Sequence, residues 1–212
     1  MKIWKWAALA LGTAAVGSAA YTRYRHSIEE PDYTVEREDG AIELRAYEPL
    51  IVAETTHAGK AKDARSAGFR RLAAYIFAKD RPKADETTKI EMTAPVLQDS
   101  PAAENDDGTS GRAGNAKLWR TRFVMPDRYT LEGLPTPPSD IAVKELPARR
   151  IAAIRFSGNG GRASLDRNEL QLREWLKREG LQSAGGAEYA FYDPPTVPGP
   201  MRRNEILIPI AP

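Results

Sequence analysis

One plan occurs twice along this chain, and that repetition limits the fold more than any other feature. Ile42-Glu43-Leu44-Arg45-Ala46 runs into Tyr47-Glu48-Pro49 and continues as Leu50-Ile51-Val52-Ala53-Glu54-Thr55. About 100 residues later, Ile141-Ala142-Val143-Lys144-Glu145 runs into Leu146-Pro147 and continues as Arg150-Ile151-Ala152-Ala153-Ile154-Arg155-Phe156. Alternating residues interrupted by proline mark paired strands. At the same spacing, Leu72, Tyr75 and Ile76 match Leu172, Trp175 and Leu176, and the i, i+3, i+4 stripe predicts an amphipathic helix in each half. Glu91-Met92-Thr93-Ala94-Pro95-Val96 then lines up with Glu205-Ile206-Leu207-Ile208-Pro209-Ile210, across a larger gap because the second half holds a Pro-rich loop.

Three matches in one order predict two similar repeats, residues 33–98 and 118–212. The expected class is α+β: a distorted antiparallel β-barrel of two pseudo-symmetric strand and helix repeats, with two flanking helices and an N-terminal apolar helix. Alternation in Trp119 to Met125 puts Trp119, Phe123 and Met125 on a core face and Arg120 and Arg122 in water. Asp99 to Lys117 lacks periodicity and reads as a long solvated loop.

Residues 1–26 are of another kind. Lys2 and Lys5 precede an apolar run from Trp6 to Tyr21, and Arg23, Arg25 and His26 follow it. This pattern is an export signal or a short membrane anchor. It places the body, residues 27–212, at the cell envelope, held to the membrane through the N-terminal segment or exported to the periplasmic side.

The available chemistry is narrow. With no cysteine, the chain has no disulfides, thiolate metal sites, Fe–S clusters or cysteine nucleophiles. His26 and His57 are its two histidines, and without G-x-S-x-G no acyl-transfer triad is visible. Gly158-Asn159-Gly160-Gly161 precedes a helix but lacks a following Lys-Ser or Lys-Thr, so it reads as a turn and helix start. No metal-ligand spacing occurs. A net charge of +2 gives no field for capturing nucleic acid. What remains is a non-enzymatic binder, with a cleft between helices and sheet where apolar side chains and a few cations hold a flat amphipathic anion. A tetrapyrrole has that shape. A general small-molecule binding or sensing module is the alternative.

Several ordered motifs also resemble one family. Lys89-Ile90-Glu91-Met92-Thr93-Ala94-Pro95-Val96 is similar to the K-I-x-M-T-x-P-V signature of the SOUL haem-binding proteins. Ile42 to Pro49 resembles the family's opening motif, Tyr75-Ile76-Phe77 its helix ending, and Tyr192-Asp193-Pro194-Pro195 with Arg202-Arg203-Asn204-Glu205 its C-terminal segments. The resemblance spans Tyr33 to Ile210. It implies the two-repeat barrel and non-covalent binding of haem or another tetrapyrrole. It also implies a site at the first helix, with Phe69, Leu72 and Ala73 as ring contacts and Arg70 and Arg71 as propionate partners. Some members carry a proposed axial histidine where this chain has Ala46, so that ligand is absent. Haem iron accepts His, Met, Cys or Tyr, which leaves His57, Tyr47 and Met92 as further contacts, with none assigned as a metal ligand.

Overall fold

The structure is a computed structural model and describes residues 28–82, 87–101, 112–113 and 116–211. The expected N-terminal helix lies outside the described residues, as does most of the expected long loop. Strands β1 (Tyr33–Asp39), β2 (Ile42–Tyr47) and β3 (Leu50–Ala58) lead into helix α1 (Ala61–Ile76), followed by β4 (Val96–Asp99), the short β5 (Arg112–Ala113) and β6 (Ala116–Val124). The second half runs β7 (Ala142–Leu146), β8 (Arg149–Ser157), α2 (Arg162–Arg178) and β9 (Glu188–Phe191). After a 3-10 turn at Gly199–Met201 it ends in β10 (Arg203–Pro209).

Every pairing is antiparallel, and the strand order is β1-β2-β8-β10-β9-β4-β6-β3-β7, with β5 paired to β6. Without β1, the order reads the same from either end once β2 is exchanged for β7, β3 for β8, β6 for β10 and β4 for β9. This is the pseudo-two-fold symmetry expected from the repeat, with β4 and β9 at its centre. The register agrees, since Val52 pairs with Val124 as Ile151 pairs with Pro209. By its place in the sheet, β6 is thus the counterpart of β10. The alignment of Glu91–Val96 with Glu205–Ile210 does not join equivalent strands, because Glu91 to Pro95 lie outside any strand and β4 begins only after the proline. The ladder ends at β1 and β7, which do not pair with each other. The sheet is therefore a curled half-barrel rather than a closed one.

Both helices lie on one face of the sheet. Leu72, Tyr75 and Ile76 of α1 pack with Ala53, Phe123 and Met125, while Leu172, Trp175 and Leu176 of α2 pack with Leu44, Ile154 and Ile206. Each fully buried leucine contributes about 1.5–3 kcal/mol through apolar area removed from water. Helix α1 approaches its strands so closely that a Cβ on Gly68 would lie 2.4 Å from Thr121 Oγ1.

The other face is the inside of the curl. Val52, Leu97, Ile151, Ala153, Ala190 and Leu207 fill its middle. Arg120 and Arg122 also point inward, so the expectation of a wet face on β6 is overturned. Arg122 is 2% exposed and donates to Asp99 at 2.6 Å, with Glu188 3.6 Å away. Curling buries both faces of β6, and its arginines are paired with buried carboxylates rather than with water.

Candidate functional site

Among the described residues, charge fills what the apolar residues leave on the inside of the curl. Arg45 donates to Glu205 at 2.7 and 3.1 Å, and Tyr192 and Arg203 donate to the same carboxylate at 2.8 and 2.9 Å. Burial alone would raise the Glu205 carboxyl, but the hydrogen bonds and charges of Arg45 and Arg203, with Tyr192, hold it at about 2. Tyr47 belongs to this network and accepts from Arg45 Nη1 at 3.2 Å. Burial pushes its phenol up to about 12, against the pull of Arg45. The expected cleft between helices and sheet is likewise packed, since Leu72 and Leu172 are both 0% exposed.

Open space lies between the two helices instead. Along β4 and β9, Leu97 and Ala190 face the inside of the curl, whereas Val96 packs towards α1 and Tyr189 towards α2. These central strands form a valley floor flanked by both helices. Phe191 follows Tyr189 two residues along β9, on the same face and about 7 Å further. Over Tyr189 the valley deepens into a groove of about 380 Å³, lined also by Lys117, Trp119, Arg162, Leu170 and Arg173. Leu170 is 59% exposed, an apolar residue on the outer face of α2. On the opposite wall, Phe69 is 37% exposed and meets Phe123 edge-on at 5.4 Å.

Arg65 distinguishes this valley electrostatically. Its guanidinium lies 4.3 Å above the Phe191 ring and pairs with no carboxylate among the described residues. Burial, the sole cause acting on it, lowers its pKa. The neighbouring cations are engaged: Arg162 with Asp166, Arg173 with Glu169, and Lys117 Nζ 4.7 Å above the Trp119 ring. Tyr189 donates to Glu169 at 2.8 Å, and burial, then Glu169, hold its phenol above the ordinary range, so it stays protonated. Trp119 Nε1 is buried without an acceptor. Four cations against two carboxylates leave the valley positive above an aromatic floor.

The residues singled out from the sequence do not converge. Arg70 is exposed and donates to Ser66 Oγ at 3.0 Å. Arg71 holds both Asp140 and Asp80, and the hydrogen bond to Asp140 is the main cause raising its pKa. Ala73 and Met92 are partly buried against the α1 core, and Leu72 is closed within it. His57 lies opposite Trp119 in the β3–β6 ladder, with Nδ1 buried and unpartnered. Tyr47 sits on the other side of the sheet from Met92 and Leu72. Phe69 alone stands exposed on the valley wall. Arg65, Trp119, Leu170, Tyr189 and Phe191 were not foreseen. Two signals were legible: Arg65 precedes Phe69 by one helical turn, and Leu170 interrupts the polar face of α2.

The family model described as SOUL heme-binding protein matches residues 28–209. The chain belongs to the SOUL heme-binding protein family. No curated protein matches the sequence. Among solved structures, this SOUL protein is similar to the C-terminal domain of EcmrR, at 13% identity and a TM-score of 0.55, covering 84% of this chain and 98% of that one. It is also similar to a hydrolase from Listeria innocua, at 12% identity and a TM-score of 0.53, covering 83% and 94%. At such identities the likeness is one of fold. The family implies haem, and the valley fits its carboxylated ring: apolar surface for the macrocycle and surplus positive charge for the propionates. Among the described residues, no group of three or more His, Asp or Glu side chains is placed to hold a metal ion.

Proposed function

We propose that this SOUL protein carries or buffers haem, or a related tetrapyrrole, at the cell envelope, tethered or exported by its N-terminal segment, and catalyses no reaction. The reading rests on Arg65, a half-buried cation stacked on Phe191 without a counter-ion, on the same face of the sheet as the groove over Tyr189. A ring lying over Tyr189 and Phe191 brings one propionate to Arg65 and leaves the other to Lys117, Arg162 or Arg173. Phe69 and Leu170 cover its edges, and Arg70 lies on the α1 side. Haem supplies a redox-active iron when bound. His57, Tyr47 and Met92 do not line the groove, so binding relies on ring and carboxylates. A valley open on one side releases its ligand readily, which suits a carrier more than an enzyme.

Absorbance titration of the full chain with haem tests this. Replacing Arg65 with glutamine removes a charge-assisted hydrogen bond and weakens binding about tenfold or more. Leu170→Ser weakens it less, and His57→Ala and Tyr47→Phe leave it within about twofold. No saturable spectral change in the folded protein, or unchanged affinity in Arg65→Gln, refutes the site. Transfer of bound haem to apomyoglobin within minutes is the outcome expected of a carrier.

A further inference from the structure

A second groove, of about 350 Å³, lies at the end of the sheet where the β2–β3 turn meets β7 and the loop after β6. Its apolar part is Leu50, Ile51, Met125 and Leu131, the last 40% exposed. Asp127, Glu132 and Glu145 also line it, and none has an ion-pair partner among the described residues. The neighbouring cations are already engaged: Arg128 is tied to Glu91 and lies over the ring of Tyr129, itself a lining residue at the rim, and Lys144 holds Glu54 at 2.9 Å. Burial, then Glu29 and Asp32, raise the Asp127 carboxyl, a crowding of like charge that nothing described relieves. This groove therefore has the opposite sign from the valley, and its rim repels propionates.

We infer that the groove between the β2–β3 turn and the 125–132 loop binds an amphipathic organic cation, its apolar part against Met125 and Leu131 and its charge among Asp127, Glu132 and Glu145. The inference goes beyond the tetrapyrrole reading and is independent of it. Charge complementarity selects the occupant. A neutral apolar molecule gains nothing from the carboxylates, and an anion loses the contact altogether.

The chain has four methionines, so ¹³C-labelled methyl groups give a sparse NMR spectrum in which Met125 reports this groove and Met92 the α1 core. The full chain is titrated with benzyltriethylammonium, benzyl alcohol and benzenesulfonate, probes that share a ring and differ in charge. The expected result is a saturable shift of the Met125 methyl with the ammonium probe, weakened by added salt and absent with the sulfonate. Neutralising Glu132 and Glu145 together to glutamine lowers that affinity about tenfold, roughly threefold per carboxylate across a partly aqueous gap. Both residues line the rim, and an unchanged circular dichroism spectrum with an unmoved Met92 methyl confirms the variant's fold whether or not the valley takes haem. Equal responses to the ammonium and the alcohol overturn the proposal, as does a Met125 methyl that does not move. A shift produced only by an arginine-rich peptide overturns it in favour of a protein partner.

Discussion

Replacing Glu205 with glutamine tests the charged interior directly. Glu205 is 0% exposed and accepts from Arg45, Arg155, Arg203 and Tyr192, at distances between 2.7 and 3.2 Å. A carboxyl held at about 2 in the fold, against 4.5 ordinarily, contributes about 3 kcal/mol to stability near neutral pH. Because the folded value is depressed, that contribution is complete above about pH 5 and is lost as the pH falls towards 2. Glutamine also leaves Arg45, 1% exposed, without its buried counter-charge, and breaking such a pair costs about 3–5 kcal/mol. Urea unfolding followed by circular dichroism should therefore show the variant less stable by about 3–5 kcal/mol at pH 7. Out of a typical total of about 5–15 kcal/mol, the variant still folds. The gap should narrow by pH 3, where the carboxyl of the unfolded native chain is already protonated while the folded one, held at about 2, still resists protonation. A loss below about 1 kcal/mol at pH 7, or a gap that does not change with pH, would refute the idea that charge holds the interior together.

Further outcomes follow from packing and exposure. Gly68→Ala drives a methyl into Thr121 and should cost about 1–3 kcal/mol in thermal unfolding, with α1 displaced from β6. Leu172→Ala should cost about 2–5 kcal/mol, because the site is fully closed between α2 and the sheet. Arg71→Gln should cost under about 1 kcal/mol and leave haem affinity unchanged, since Asp80 and Asp140 are both more than half exposed. Chemical denaturation and haem titration of one preparation check the last pair of statements together.

The duplicated strand and helix pattern was legible because it depends on local periodicity, and Leu72, Tyr75, Leu172 and Trp175 all point where their spacing says. The role of Arg122 was not legible, because alternation separates the two faces of a strand but does not reveal that curling will enclose both. The same limit explains the ring site. Phe69, Arg70, Arg71, Leu72 and Ala73 follow one another on α1, yet a helix turns by about 100° per residue and sends them to solvent, salt bridge and core in succession. Arg65 of the first half reaches Phe191 of the second only because β4 and β9 bring the halves together at the symmetry axis, a non-local fact that no window of sequence contains.

The mirror-like strand order makes neither half self-sufficient. Strand β2 of the first half borders β8 of the second, β3 borders β7, and β4 borders β9, so the halves are laced together along three seams. Severing the polypeptide between residues 126 and 140 would leave two fragments, each baring strand edges that only the other can cover. The repeat makes an indivisible body rather than two portable modules, and a single copy would have to pair with a second to cover the same edges.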